Sequence, residues 1–450
     1  MNDITQREEK NLIIDRLHES LSADKPDIAR ELLMQMHPSE IADVLESLPG
    51  KARATVWDLI NPRLEGDVLS ELHDAVRTEL LEQMQPQEVA EATRDLDTDD
   101  VADIIQDLPE EIQDSVLRSM DQQNRQRLAS ALSYPEDTAG GLMNTDIISV
   151  RADVTLDVVM RYLRRLGQIP EKTDNLMVVD RENKFLGVLP LADMLIRDPE
   201  NSVGEIMTVA TGIQAHIPSI EVAKTFEQRD LVSAAVVDED NKLLGRITVD
   251  DVVDVIQEEA DYTLRSMAGV GDEDMFTSVL WSVRRRVAWL CINLATASLA
   301  ASVVGRFQET IAQLVTLAVL MPIVANMGGV AGSQTLTIAI RGIALGQLSK
   351  SNTRSLLFKE IGVALINGMI LAVVVTLIAL AWFHQPKLGL IVGLAIVLNL
   401  FTASLAGTLI PLGLKRLGID PAVAGGMLLT TVTDAVGFFS FLGLATLLLV

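Results

Sequence analysis

A chain of 450 residues with 62 acidic and 37 basic side chains carries a formal charge of −25. Phosphate binding needs a basic face, so this charge argues against nucleic acid as a partner, and the lone Cys291 excludes an intramolecular disulfide framework. Mean hydropathy is nevertheless +0.28, which a soluble chain this acidic would not reach, so the composition must be divided along the chain.

The opening MNDITQREEK has neither a basic n-region nor an apolar core, which predicts no cleaved signal peptide. Residues 1–133 then repeat a short helix. PSEIADVLESLP at 38–49 returns sixty residues later as TDDVADIIQDLP at 98–109, and PQEVAE opens a third copy at residue 86. Ile41, Val44, Leu45 and Leu48 share one helical face, as do Val101, Ile104, Ile105 and Leu108. The two full copies close on Leu-Pro, because proline disfavours helical geometry in the residue before it. Such units predict an acidic α-helical solenoid, whose carboxylates on composition alone are a solvated face.

A second repeat occupies 134–258. LMVVDRENKFLGVLPLADML at 176–195 matches AAVVDEDNKLLGRITVDDVV at 234–253, with Asp180/Asp238, Asn183/Asn241, Gly187/Gly245 and Asp193/Asp251 each 58 residues apart. Each copy reads as strand, polar turn, strand with glycine and helix start, where a carboxylate is welcome. The pattern resembles tandem CBS domains, α/β modules that are usually regulatory and bind nucleotides or metal ions. A linking helix is expected over 255–280.

Residues 281–450 are a different material. Only four acids (Glu309, Glu360, Asp420 and Asp434) stand against eleven bases after residue 280, so the membrane-like part is +7 and the rest −32. Five windows, 287–305, 310–340, 361–385, 388–414 and 421–450, are apolar enough to cross a bilayer. Pro322 and the glycines at 328, 329 and 332 are expected to interrupt the second and free backbone carbonyls. With the N-terminus inside, Arg284–Arg286, Arg341, Lys350, Arg354, Lys359, Lys415 and Arg416 flank the cytoplasmic ends, leaving only Arg306 and Lys387 outside. The acidic domains are therefore expected in the cytoplasm and Val450 outside, in a multi-pass protein of the inner or plasma membrane.

Asp434 reads as the only acid deep in a span, where a carboxylate costs about 2.5–3.5 kcal/mol to insert. Thr430, Thr431 and Thr433 precede it and Gly437 follows. A cation site is favoured over a protonated carboxyl bonded to threonines. Magnesium suits it, being hard, oxygen-seeking and slow to shed water, and no soft ligand lies nearby. Asn326, Ser333, Gln334 and Thr335 add neutral oxygens, and Gly328 and Gly329 either line the path or pack helices closely.

The whole order is the basis of recognition: an acidic helical repeat, AGGLM at 139–143, a CBS pair, a linking helix and five spans carrying PIVANMGGVAGSQ at 322–334 and LLTTVTDAVG at 428–437. It resembles, end to end, the MgtE family of magnesium channels and transporters. The resemblance implies a homodimer with the pore on its two-fold axis, two copies of Asp434 facing one ion, and Thr430 and Gly426 at auxiliary positions. Gly426, Thr430 and Val330 depart from the family pattern, which leaves selectivity among Mg2+, Co2+, Ni2+ and Mn2+ open.

The resemblance also implies a gate closed by cytoplasmic Mg2+. Its candidate ligands are Asp99 and Asp103 on the solenoid, Gly140, and Asp251, Asp254 and Glu259 where the second CBS domain enters the linking helix. Glu258 and Asp261 are neighbours, and Asp230 survives from a further set, whereas Pro218, Ile220, Tyr262 and Thr263 stand where acids are common. Fewer gate ions or weaker binding is the expectation. Physically, 32 excess negative charges repel in a compact assembly and divalent cations would relieve them. ATP is a regulatory candidate through Asp193 and through Gly245, Thr248 and Asp251 of the second unit. A broader divalent transporter, an anion channel and a membrane-tethered sensor without flux are the alternatives. An enzyme is not expected: the five histidines are scattered and no nucleophile has a base beside it in the pattern.

Overall fold

The computed structural model describes residues 13, 16, 17, 20, 25–120, 122–170, 172–270, 276, 279–349 and 351–449; the opening decapeptide lies outside them. The chain forms two compact units, residues 1–260 with 273–277, and residues 261–272 with 278–450.

Among the described residues the first unit has nine delimited short helices ahead of its strands: α1 (Pro26–Leu33), α2 (Pro38–Glu46), α3 (Gly50–Trp57), α4 (Glu65–Ser70), α5 (Asp74–Leu81), α6 (Pro86–Ala92), α7 (Thr98–Gln106), α8 (Glu110–Ser119) and α9 (Gln122–Ala131). Pro26, Pro38 and Pro86 occupy first-turn positions, where the missing N–H is no loss. Pro49 and Pro109 end one helix and cap the next. All eight residues of the two expected apolar faces are buried.

A repeated device ties consecutive helices. A long side chain donates to the carbonyl five residues earlier: Arg53 Nη2 to Leu48 O (3.1 Å), Arg77 Nη1 to Leu72 O (3.4 Å), Gln113 Nε2 to Leu108 O (2.7 Å) and Arg125 Nη2 to Met120 O (2.9 Å). Free carbonyls at helix ends are thereby satisfied. Arg77 is buried and also meets Asp107 (2.6 Å) and Asp74 (2.8 Å). Arg77→Met is expected to lower unfolding stability by about 3 kcal/mol, because Asp107 keeps its burial and loses its counter-charge. Thermal denaturation of the full chain at pH 7 measures it.

The CBS pair builds two small sheets. β1 (Ser149–Arg151), β2 (Asn175–Val179), β3 (Phe185–Pro190) and β4 (Thr208–Val209) lie in that order, and β5 (Ile213–Gln214), β6 (Ser233–Val237) and β7 (Leu243–Thr248) form the other. Helices α10 (Leu156–Leu166), α11 (Leu191–Ile196), α12 (Val203–Ile206) and α13 (Ser219–Arg229) complete the pair. Its sequence repeat is physical. Asp180 Oδ1 accepts from the amides of Glu182 and Lys184 at 2.7 and 2.9 Å, and Asp238 Oδ1 from those of Asp240 and Lys242 at 2.9 and 2.8 Å. Asn183 and Asn241 take positive φ (64° and 62°), which asparagine tolerates in tight turns. Each Asn donates to the other hairpin, to Leu243 O and Phe185 O.

Helix α14 (Val249–Ala268) follows. It starts earlier than the expected linking helix and ends short of 280; residues 271–275, 277 and 278 lie outside the described set.

Among its described residues the second unit carries five helices long and apolar enough to cross a membrane: α15 (Val279–Gly305), α17 (Thr316–Ala344), α18 (Thr353–Phe383), α19 (Pro386–Arg416) and α20 (Pro421–Leu449). The window expected over 310–340 is broken before its middle, by the short α16 (Gln308–Gln313). From Thr316, however, α17 continues unbroken through Pro322 and the glycines, so the expected interruption does not occur there. Helix α19 is the most buried of the five and packs on α17, α18 and α20. Helix α18 begins before its apolar window and encloses Glu360, which is 5% exposed. Asp434 is therefore not the sole acid within a spanning helix.

Candidate functional site

Two groups of polar residues need an account, one in each unit. In the second unit, Asp434 lies half-buried on α20 with Thr430 exposed one turn before it. The threonine hydroxyls donate back along the helix: Thr430 to Gly426 O (3.0 Å), Thr431 to Met427 O (2.8 Å) and Thr433 to Thr430 O (3.1 Å). Their protons are occupied, as is usual for threonine inside helices, so what they offer outward is oxygen lone pairs. Among the described residues no side-chain hydrogen bond or ion pair reaches Asp434. An ionised carboxylate beside acceptor oxygens attracts a hard cation. Gly426 faces open space.

On α17 the two adjacent glycines part company. Gly328 is buried against the Asn399 amide, and Gly332, one turn on, meets Leu429. A Cβ at Gly329 would meet nothing, and Asn326, Ser333, Gln334 and Thr337 are exposed. One face of α17 is thus a packing seam and the other presents amides and hydroxyls outward from the protomer. The sequence reading gave no role to several buried polar groups, Asn399 and Glu360 among them. Asn399 is fully buried on α19, and Glu360 accepts from Thr335 Oγ1 (3.2 Å) beside Lys359 Nζ (2.9 Å). The isolated amide in the apolar run of α19 was the available signal for Asn399. Glu360 sat at the edge of an apolar window.

At the unit's other polar point, Tyr262 Oη donates to Asp420 Oδ2 (3.1 Å), while Asp420 Oδ1 accepts the Ala422 amide (2.8 Å) at the start of α20. The tyrosine that stands in place of an acid thus bonds an acid directly.

In the first unit, the start of α7 faces the start of α14. Asp97, Asp99 and Asp100 can bring a carboxylate oxygen each within 4.8 Å of one another. Asp99 is 9% exposed and its Oδ1 is buried without a hydrogen-bond partner. Burial, then the charges of Asp251, Asp100 and Asp97, push its carboxyl well above the ordinary range. Burial also raises Asp251, although Thr248 donates to it from its amide (2.9 Å) and hydroxyl (3.1 Å). Asp100 is pushed up to about 7 by burial and by Asp97 and Asp251. Asp250 goes the other way: bonds from Lys172 and Thr248 outweigh its burial and hold it below the usual range. Lys172 meets Asp250 directly.

A second acidic group adjoins. Asp103 rises to about 8 through burial, then Glu136, Asp100 and Glu258, against the relief of Arg77. Glu258 is raised by burial and by Asp74 and Asp254, and Asp254 by burial and by Asp250. The geometry therefore gathers Asp99, Asp103, Asp251, Asp254 and Glu258, and adds Asp97, Asp100 and Glu136, which sequence reading missed. Glu259 is half-buried on the same helix. Gly140 is buried, its amide held by Ala215 O (2.8 Å). Asp230 is not among the acids acting on either group; it is exposed at the left-handed end of α13, φ 50°. A buried carboxylate oxygen without a partner, ringed by raised carboxyls, fits a hard divalent cation. Of the nucleotide candidates, Thr248 spends its hydroxyl on Asp250 and Asp251, and Asp193 is 3.8 Å from Arg197.

Known proteins resemble this chain along its length. A sequence profile described as a divalent cation transporter, MgtE, matches residues 321–444, one for the MgtE intracellular N domain matches 36–137, and one for the CBS domain matches 139–199 and 203–258. The magnesium transporter MgtE of Thermus thermophilus is 33% identical over 442 residues, 96% of this chain and 98% of its own. That of Bacillus subtilis is 28% identical, covering 93% of each chain. Among solved structures, the cytosolic domain of the Mg2+ channel MgtE in complex with ATP is 32% identical, with a TM-score of 0.49, covering 54% of this chain and 99% of that one. With its N domain, its CBS pair and its spanning region all matched, and a relative one-third identical over nearly the full length, the chain belongs to the MgtE family.

Proposed function

We propose that this protein carries Mg2+ across a cell membrane, and that Mg2+ in the cytoplasm closes it. Transport is supported by the full-length similarity to magnesium transporters. The pore assignment is carried by one observation: Asp434 on α20, which no side chain among the described residues bonds, with Thr430 exposed beside it and outward amides and hydroxyls on neighbouring α17. Polar side chains do not face lipid without cost, so these faces meet water, an ion or a second copy of the chain. The reading takes all three together in a homodimer whose two Asp434 carboxylates match one Mg2+. Membrane potential drives entry, each charge gaining about 2.3 kcal/mol per 100 mV, with the acidic domains inside and the C-terminus outside.

The gate reading rests on Asp99, whose buried oxygen faces the charges of Asp97, Asp100 and Asp251. Asp99, Asp103, Asp251, Asp254, Glu258 and Glu259 would hold the cation, with the Gly140 carbonyl as a neutral donor. Asp230 finds less support. When bound, the cation supplies the positive charge that cancels their repulsion. Without it, the ionised carboxylates of α7 and α14 push the two helices apart, and α14, which continues into the second unit, loses its anchorage. Regulation by ATP through Asp193 and Thr248 is the lesser reading, since Thr248 already serves the acids.

The test is Mg2+ uptake into vesicles holding the full chain, with Mg2+ varied on the side of the acidic domains. Uptake that falls as that Mg2+ rises supports both parts. Uptake indifferent to it leaves transport and overturns the gate; no uptake by folded dimer favours a sensor without flux. Tyr262→Phe, which removes the bond to Asp420, is expected to raise uptake at closing Mg2+ by about threefold, as suits one exposed hydrogen bond to a charged acceptor. The same uptake assay measures it.

A further inference from the structure

We propose that Asn399 is a positioning residue for the ion path: its amide, seated in notches left by Gly328 and Gly437, fixes the spacing of the two helices that carry the candidate pore groups. The inference rests on the reading of Asp434 and the outward face of α17 given above. Asn399 is completely buried, on the helix that packs against both α17 and α20. Its Nδ2 donates to Val324 O on α17 (2.8 Å), which fixes which end of the amide is nitrogen. A Cβ at Gly328 would have all three nearest atoms in the Asn399 amide, and one at Gly437 would fall 2.7 Å from the same nitrogen. Neither distance is tolerated, so both glycines exist to admit this one side chain.

The location gives the contact its consequence. Gly437 stands three residues beyond Asp434, and Gly328 immediately before Gly329, which shares its open side of α17 with exposed Asn326 and Ser333. Asn399 Oδ1 has no hydrogen-bond partner among the described residues, and an orphaned buried acceptor is costly where a leucine would be cheap. Asparagine is therefore poorly explained as filler. It bonds α17, fits α20 and sets how far apart their pore faces stand. A hydrated Mg2+ retains most of its waters, so its passage depends on that width to within a fraction of a water diameter.

The test is a double-substitution cycle in the full chain. Gly328→Ala and Gly437→Ala are each expected to cut Mg2+ uptake about tenfold, the scale of overpacking a tight contact. Asn399→Ala is expected to shift the half-saturating Mg2+ and the preference for Mg2+ over Co2+ several-fold, a readout that loss of packing alone would not move. Joining Asn399→Ala to either glycine change should recover most of the uptake, because the new methyl occupies space the amide has left. Doubles no better than the glycine singles overturn the proposal, as does an unchanged half-saturation and cation preference in Asn399→Ala. Melting temperatures of the same proteins in detergent repeat the cycle without using flux. Non-additive melting in a wild type that carries no Mg2+ would sink the transport reading and keep the three-residue contact; additive melting would overturn the contact itself.

Discussion

Asp434→Ala is expected to lower Mg2+ uptake by about 100-fold or more, equivalent to roughly 3 kcal/mol of lost cation stabilisation, and to leave the protein folded. The carboxylate has no side-chain partner among the described residues, so its removal breaks no bond. Eliminating a charged group from a membrane helix instead relieves a cost of about 2.5–3.5 kcal/mol. The melting temperature should hold or rise while uptake disappears, and Asp434→Asn should behave alike, since shape without charge does not replace a counter-ion. Uptake and melting measured on the same preparation decide it. A fall in melting temperature with uptake retained would make Asp434 a structural residue and end the pore assignment.

The second large effect concerns the clustered acids of the first unit. Asp99→Asn with Asp251→Asn is expected to raise the Mg2+ needed for half-closure by about tenfold or more, as loss of two charged ligands should. It should also stabilise the metal-free domains, because burial and then neighbouring carboxylates raise both carboxyls. The dependence on pH follows from the direction of those shifts. Separated carboxyls ionise near about 4, while in the packed state Asp100 and Asp103 do so at about 7 and about 8. Across that window the packed state holds more protons, so metal-free stability falls as pH rises from about 4 toward about 8. Mg2+ should flatten this slope, and the double variant should weaken it. Melting curves at several pH values, with Mg2+ and with chelator, measure all three; a slope that rises with pH would refute the clustering.

Much of the architecture was legible because it rests on local regularities. The helical face of Ile41, Val44, Leu45 and Leu48 is a period, and the duplicated Asp180 and Asp238 turns are a spacing; both are buried or bonded as written. The clustered acids were legible only in part. Asp99, Asp103 and Asp251 were named through resemblance, but Asp97, Asp100 and Glu136 join them through packing of α7 and the segment after α9 against α14, which no linear pattern reports.

Linear order was enough to divide the chain into an acidic part and an apolar part and to locate the two repeats, the five spanning helices and a single acid in the last of them, since charge, period and length are properties of consecutive residues. Which side of a helix meets a neighbour emerged from packing alone. Gly328 and Gly329 are identical in sequence terms, yet one receives the Asn399 amide and the other faces open space. Glu360 and Thr335 are 25 residues apart and hydrogen-bonded. The Thr248 hydroxyl, a candidate for phosphate, is spent on Asp250 and Asp251. The physical reason is the same in each case: a side chain's chemistry is set by the atoms within a few ångströms, and in a packed bundle or an interdomain cleft those atoms come from elsewhere in the chain.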